Sequence, residues 1–299
     1  FSPKIKICKV VITGGYKFLM YRILKREALN PTVTRIEVEA PFVSKKAKPG
    51  QFIILRVDKD GERIPFTVAG TDPERGSVEV IFQVVGASTE KLNHLKEGDE
   101  LADFVGPLGR PSELEGLKKV CVIGGGAGCA IALPLAQELH RMGADVTSIC
   151  GFRSKDLVIL EKEFEACSNK FIRMSDDGTW GTKGLVTAAL ESEIQNGEKY
   201  DQVITIGPLV MMKFVTAVTK KYNVPTVCSM NPIMIDGTGM CGGCRLMVGG
   251  KMKFACVDGP DFNAFDVDFD SAMLRNGMYR DFEHKRYEEA CNLFKKEVK

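Results

Sequence analysis

The chain has 299 residues, 41 Lys and Arg against 39 Asp and Glu, and a formal net charge of +2. That near-neutral balance excludes a nucleic-acid footprint, which needs a strongly basic face, and 44% hydrophobic with 27% charged residues excludes a disordered or collagen-like chain. No apolar run approaches the roughly 20 residues of a membrane helix, so neither a membrane nor a nucleic acid is expected as a partner. The length suits more than one domain.

Residues 1–19 carry Lys4, Lys6 and Lys9 beside a short apolar patch, Cys8 to Ile12. The patch is shorter than a signal-peptide core and no small-residue cleavage site follows. These residues are expected to be an N-terminal extension, with a cleaner pattern opening at Met20.

Residues 33–109 predict an all-β unit, a small antiparallel β-barrel or a sandwich. Runs starting at Val33, Gln51, Arg63 and Ser77 are β-branched and aromatic, and turn material such as Lys48-Pro49-Gly50 and Asp60-Gly61 separates them. At about residue 117 the pattern becomes alternating strand and helix, the signature of a parallel sheet with crossover helices. Strands are expected at 117–126, 144–152, 171–177, 200–207 and 223–230. Helices are expected at 130–143, 157–167, 183–194 and 209–222, the front half of 157–167 being also readable as strand. Beyond residue 229, a glycine- and cysteine-rich stretch precedes two short strands around Gly249-Gly250, and 271–299 reads as a polar helical tail. The expected organisation is a barrel over 20–112, an α/β domain over 113–228, a small hairpin domain over 229–262 and a tail over 263–299.

Three motifs carry chemistry. Gly124-Gly125-Gly126-Ala127-Gly128 lies between a strand and a helix. Glycines there let a pyrophosphate approach the backbone at a helix N-terminus. A tight turn with no ligand is the plain alternative, and no acid ends the second strand to hold a ribose. Arg153-Ser154-Lys155 stands there instead, able to meet a 2′-phosphate or simply face solvent.

Of the ten cysteines, seven are scattered and Cys241, Cys244 and Cys256 are clustered. That usage suggests a reducing compartment and a metal site. Cys241-x2-Cys244 forms a knuckle to which a hairpin can bring Cys256. Asp236 is the best candidate for a fourth ligand, with Cys228 as the other. Both a zinc knuckle and an iron–sulfur cluster suit this spacing.

The third motif is Arg63-Ile64-Pro65-Phe66-Thr67 with Gly86-Ala87-Ser88-Thr89 downstream. Arg63 can hold a phosphate, and Phe66 can cover a flavin ring. The plain alternative is a surface Arg, a core Phe and a helix cap. Asp176-Asp177-Gly178 and Gly207-Pro208 follow later strands, where ligands of parallel sheets bind, although both also suit ordinary turns.

Taken together, these segments resemble the ferredoxin-reductase-like flavoproteins. The similarity extends to those with a C-terminal [2Fe–2S] hairpin: the electron-transfer subunits of dihydroorotate dehydrogenase and the small subunits of NADH-dependent reduced ferredoxin:NADP+ oxidoreductases. The resemblance implies FAD contacts at Arg63, Pro65, Phe66, Thr67, Val85, Gly86, Ser88 and Thr89. It implies NAD(H) contacts at Gly125, Gly126, Ala127, Gly128, Gly207, Pro208 and Met211, with Asp177 added from its place after a strand. In the dihydroorotate dehydrogenase subunits the hairpin opens Cys-Gly-x-Gly-x-Cys-x-x-Cys. Here Asp236 replaces the first Cys, as in the second group, where an aspartate is a cluster ligand. The implied metal set is Asp236, Cys241, Cys244 and Cys256, with no separate catalytic residue.

The implied function is cytoplasmic electron transfer from NADH through FAD and the cluster to a larger subunit with its own FAD and [4Fe–4S] clusters, akin to the glutamate synthase small subunit, and thence to ferredoxin. The alternatives are the subunit of another dehydrogenase, a flavin reductase with structural zinc, and a non-catalytic nucleotide-binding regulator.

Overall fold

The computed structural model describes the backbone of residues 10–13, 16–19 and 21–297 and the side chains of 21–289. Most of the expected extension, including Cys8, lies outside the described residues, as do Met20 and the side chains of Cys291 and Phe294. Within the extension, β1 (Val10–Thr13) and β2 (Tyr16–Leu19) pair antiparallel.

Residues 21–108 build a seven-stranded antiparallel sheet. Its strands are β3 (Tyr21–Asn30), β4 (Val33–Glu39), β5 (Phe52–Arg56), β6 (Arg63–Asp72), β7 (Ser77–Gln83), β8 (Glu100–Leu101) and β9 (Asp103–Leu108). Their order is β8-β3-β4-β7-β6-β5-β9. The two end strands are separated in sequence by Ala102 alone, so the sheet curls until its ends meet, and Ala102 N–H donates to Arg56 O at 3.0 Å. This is the expected barrel, nearly closed. In β7 the apolar residues Val78, Val80 and Phe82 alternate inward with period two. In β5 all of Phe52 to Leu55 are buried. Ile53 and Leu55 face the barrel core, whereas Phe52 and Ile54 face the C-terminal part of the chain, so both faces of this strand are covered. Two short helices, α1 (Pro41–Ser44) and α2 (Ala87–Asn93), interrupt the sheet.

The second sheet starts with β10 (Lys119–Gly125), α3 (Gly128–Arg141) and β11 (Asp145–Phe152). It continues through α4 (Glu161–Cys167), β12 (Lys170–Ser175), β13 (Thr182–Lys183), α5 (Val186–Gln195), β14 (Gln202–Ile206), α6 (Leu209–Lys221) and β15 (Thr226–Ser229). These strands are parallel. Val120 and Val122 of β10 pack towards α3, and the alternate residues Cys121 and Ile123 pack with Leu190 of α5 and Val215 of α6. Helices thus cover both faces. The helix expected at 157–167 is shorter, because Leu160 adopts φ 60° and only Glu161–Cys167 is helical.

The chain closes with β16 (Arg245–Val248), β17 (Lys251–Phe254), α7 (Ala255–Asp258), β18 (Asp261–Asn263), α8 (Phe269–Asn276) and α9 (Arg280–Glu297). Strands β16 and β17 form the expected hairpin. Strand β18 joins the edge of the parallel sheet antiparallel to β15, so residues 261–263 belong structurally to that sheet. Phe52, Ile54, Met212, Cys228, Leu246 and Cys256 share one core. The hairpin module therefore wedges against both the barrel and the parallel sheet.

Candidate functional site

The parallel sheet has the order β13-β12-β11-β10-β14-β15-β18. The order reverses at β10, so the loops after β10 and β14 diverge and leave a crevice at the carboxyl ends of the strands. A cavity of about 1380 Å³ opens there, with β6 and β7 of the barrel as its opposite wall. That exceeds the roughly 300–1,000 Å³ of a typical small-ligand pocket and leaves room for more than one ligand.

The glycine turn forms the floor. Gly125, Gly126, Ala127 and Gly128 all line the cavity. Gly126 has φ 54°, and nothing stands within 4 Å of where its Cβ would be, so a ligand can approach the backbone there. At Gly128 a Cβ would lie 2.4 Å from Ile206 O, so only glycine lets the start of α3 meet the end of β14. The free N–H groups at the start of this 14-residue helix favour an anion. Gly207, Pro208 and Met211 line the cavity from the start of α6.

From the barrel, Pro65, Phe66, Thr67, Val85 and Thr89 line the cavity. Phe66 packs on Phe82 with ring centroids 5.8 Å apart. Thr89 Oγ1 accepts the N–H groups of Val85 and Gly86, both at 3.0 Å, and donates to Gly86 O at 2.9 Å. This hydroxyl therefore shapes the turn into α2.

Four nominated residues lie outside the lining. Arg63 forms an ion pair with Asp103 at 3.7 Å. Ser88 Oγ donates to Glu62 Oε2 at 2.5 Å. Gly86 serves as the N-cap of α2. Asp177 Oδ1 accepts the N–H and hydroxyl of Thr179, which hold its carboxyl below the usual range. Its neighbour Asp176 lines the cavity instead, beside Arg153. Sequence reasoning also passed over Asn30, Thr32 and the stretch Ser229–Pro232, all part of the lining. Only the position of Ser229–Pro232 after a parallel strand marked that stretch.

The cysteine loop stands beyond Met234, which lines the cavity. Pairing of Arg245 with Phe254 in the hairpin sets Cys244 and Cys256 side by side. Cys256 N–H donates to Cys244 Sγ at 3.4 Å, and Gly243 N–H donates to Cys241 Sγ at 3.4 Å. Cys244 and Cys256 are buried and Cys241 is exposed. Burial pushes the Cys256 thiol up to about 12, whereas the Gly243 N–H holds the Cys241 thiol below its ordinary value. Asp236 Oδ2 accepts the Thr238 hydroxyl and N–H and the Met240 N–H, and these hold its carboxyl low. Among the described residues no three Cys, His, Asp or Glu side chains close into a metal shell. One loop and one hairpin carry the four nominated ligands, and the shell itself is not drawn together. Thiolates beside main-chain N–H donors are the chemistry of an iron–sulfur site.

Comparison with known proteins agrees with this geometry. Residues 231–268 match the iron–sulfur cluster binding domain of dihydroorotate dehydrogenase B. A dihydroorotate dehydrogenase B (NAD(+)) electron transfer subunit homolog from Thermotoga maritima is 44% identical over 266 residues, covering 89% of this chain and 94% of its own. A probable electron transfer subunit of the same enzyme from Methanocaldococcus jannaschii is 36% identical over 233 residues, covering 78% of this chain and 84% of its own. A chain from the NADH-dependent reduced ferredoxin-NADP oxidoreductase structure, solved for insight into flavin-based electron bifurcation, superimposes with a TM-score of 0.86. It is 42% identical, and the match covers 93% of this chain and 99% of that one. The chain belongs to the family of dihydroorotate dehydrogenase B electron-transfer subunits and their homologues, oxidoreductase subunits of ferredoxin-reductase-like fold.

Proposed function

We propose that this subunit moves electrons reversibly between NADH and a larger partner through FAD and a [2Fe–2S] cluster, within a bifurcating NADH-dependent ferredoxin:NADP+ oxidoreductase. The observation that carries the finer reading is Asp236, which stands where the dihydroorotate dehydrogenase pattern has its first cysteine. The 42% identity to the bifurcating oxidoreductase chain, over nearly its whole length, supports it.

The residues present fit the groups. Pro65, Phe66 and Thr67 offer one wall with an aromatic face, and the α3 N-terminus offers N–H groups to a pyrophosphate. Bound in the cavity, FAD supplies the conversion between the two-electron hydride of NADH and the single electrons an iron–sulfur cluster carries. Met211 and Pro208, also in the cavity wall, would contact the nicotinamide nucleotide, and the stretch from Ser229 to Met234 connects the wall to the cluster loop. Asp236, Cys241, Cys244 and Cys256 would hold the cluster. Zinc in this loop is disfavoured by the match of residues 231–268 to a cluster-binding domain.

Asp176 favours NADH over NADPH. Its N–H donates to Phe152 O at 3.0 Å, which fixes it beside the end of β11, where a ribose-binding acid belongs. A carboxylate there accepts ribose hydroxyls and repels a 2′-phosphate. Arg153, which follows β11 and also lines the cavity, offsets part of that repulsion.

A larger subunit with FAD and [4Fe–4S] clusters, related to the glutamate synthase small subunit, is the proposed partner, and ferredoxin is reached through it. Ile235 and Met240, in the loop of Cys241, and Val257, beside Cys256, are exposed apolar side chains suited to that contact. No described helix is long and apolar enough to cross a membrane, and the eight described cysteines are free thiols, consistent with a reducing cytoplasm.

Anaerobic purification with the co-eluting partner tests the reading. It predicts NADH-dependent reduction of NADP+ that requires reduced ferredoxin. The second reading, a dihydroorotate dehydrogenase subunit, is favoured by the match at 231–268 and predicts dihydroorotate-dependent reduction of NAD+ instead.

A further inference from the structure

The segment after Cys256 is stitched to the connection between barrel and parallel sheet. Arg110 N–H donates to Gly259 O at 2.7 Å, and Arg110 Nε donates to Val257 O at 3.1 Å. Ser112 Oγ donates to Asp261 Oδ2 at 2.5 Å. On the other side, Met230 N–H donates to Pro260 O at 2.9 Å, and Ser229, Met230 and Pro260 all line the cavity. Asp261 lies opposite Ser229 in the register of β15 and β18. Ser112 is itself held, since its N–H donates to Pro49 O at 3.0 Å. Gly50 beside it has φ 86°, and a Cβ there would collide with the Ser112 hydroxyl.

The carboxyl of Asp261 is unusual in this place. Its Oδ1 is closed off from solvent and takes no hydrogen bond from any described residue. Burial pushes its pKa up, and the Ser112 and Ser229 hydroxyls pull it back. A half-buried acid with one enclosed, unsatisfied oxygen costs stability that an apolar side chain of similar size would not. What it provides here is the bond to Ser112, in the connection between the two halves of the cavity. Domains joined by a short connection move relative to one another unless contacts hold them, and hydride transfer tolerates little misplacement of its reactants.

We propose that Asp261 is a positioning residue: by holding Ser112 it fixes the angle between barrel and parallel sheet, and with it the approach of nicotinamide to flavin. The inference rests on reading the cavity as the shared flavin and nicotinamide site.

The test uses the assembled complex with its cofactors and the variants Asp261→Ala, Asp261→Asn and Ser112→Ala. Flavin reduction is followed in a single turnover at saturating NADH, alongside FAD content, iron content and NADH affinity. Asp261→Ala and Ser112→Ala are expected to slow reduction roughly ten- to hundredfold, with FAD, iron and NADH affinity unchanged. Asp261→Asn, whose amide oxygen still accepts the Ser112 hydroxyl, restores most of the rate. Alanine variants that keep both cofactors and reduce at the wild-type rate overturn the proposal. If Asp261→Ala loses a cofactor, Ser112→Ala, which removes a single hydroxyl, decides. A wild-type complex that NADH does not reduce refutes the reading of the cavity instead.

Discussion

The main-chain N–H of Cys256 points at Cys244 Sγ across 3.4 Å, and the hairpin between them sets that contact. Cys244 precedes β16 and Cys256 follows β17, so pairing of Arg245 with Phe254 brings the two thiols together. Cys256→Ser and Cys244→Ser are expected to lose iron and acid-labile sulfide. They are also expected to lower Tm, by roughly 2–4 °C for each kcal/mol lost in a domain of this size. Both side chains are buried, and cluster binding contributes to folding as well. Cys241→Ser, at an exposed position, loses the iron with a smaller fall in Tm.

The aspartate assignment has its own test. Asp236→Ala is expected to lose or destabilise the cluster, and Asp236→Cys to retain iron with an altered visible and EPR spectrum. An Asp236→Ala protein with full iron content and an unchanged spectrum refutes the ligand.

Gly128 is a packing requirement at the nucleotide turn. Gly128→Ala places a methyl against Ile206 O, and overpacking of this kind costs about 1–3 kcal/mol. The expected outcome is weaker NADH binding by calorimetry or fluorescence, with FAD still bound to the barrel.

Much of this was legible because the physical pattern is repetitive. The β-branched and aromatic run from Ser77, set between turns, marked a barrel strand, and the glycines after β10 marked the crevice. Strand β3 was not legible. Ile23 is its one fully buried residue, Leu29 packs on a different core, and Arg22, Lys25, Arg26 and Glu27 mask the run. Strand β18 has three residues, too few to show a period. At the site, Asp176 and Asp177 are adjacent, and only the turn to Thr179 shows that Asp177 is occupied locally. Arg63 shows a contact that its motif does not reveal: its guanidinium stands 3.7 Å from Asp103 on β9, a residue far away in sequence.

Nucleotide choice is testable at Asp176. Asp176→Ser is expected to shift kcat/KM towards NADPH by roughly tenfold, or about 1.4 kcal/mol. Steady-state rates with both nucleotides and an artificial acceptor measure it, and an unchanged ratio removes Asp176 from the ribose site.

Stability should depend on pH through Asp261. Its pKa is raised in the folded chain, so the folded state holds this proton more tightly than the unfolded one. The stabilising effect is fully present below the unfolded value of about 3.9 and is lost as pH rises through the folded pKa. Ser112 from the connection, with Ser229 and Cys228 from β15, are the polar groups facing it. Asp261→Asn cannot titrate, so its urea-unfolding free energy should fall less than wild type over that interval. Parallel curves would remove Asp261 as the source.

The central claim is best tested by anaerobic titration of the purified complex with NADH, read by visible absorbance and low-temperature EPR. The account predicts bleaching of a flavin band together with a reduced [2Fe–2S] signal that disappears in Cys256→Ser. A complex that binds FAD yet contains no labile sulfide, or whose cluster stays oxidised while its flavin is reduced, would contradict it.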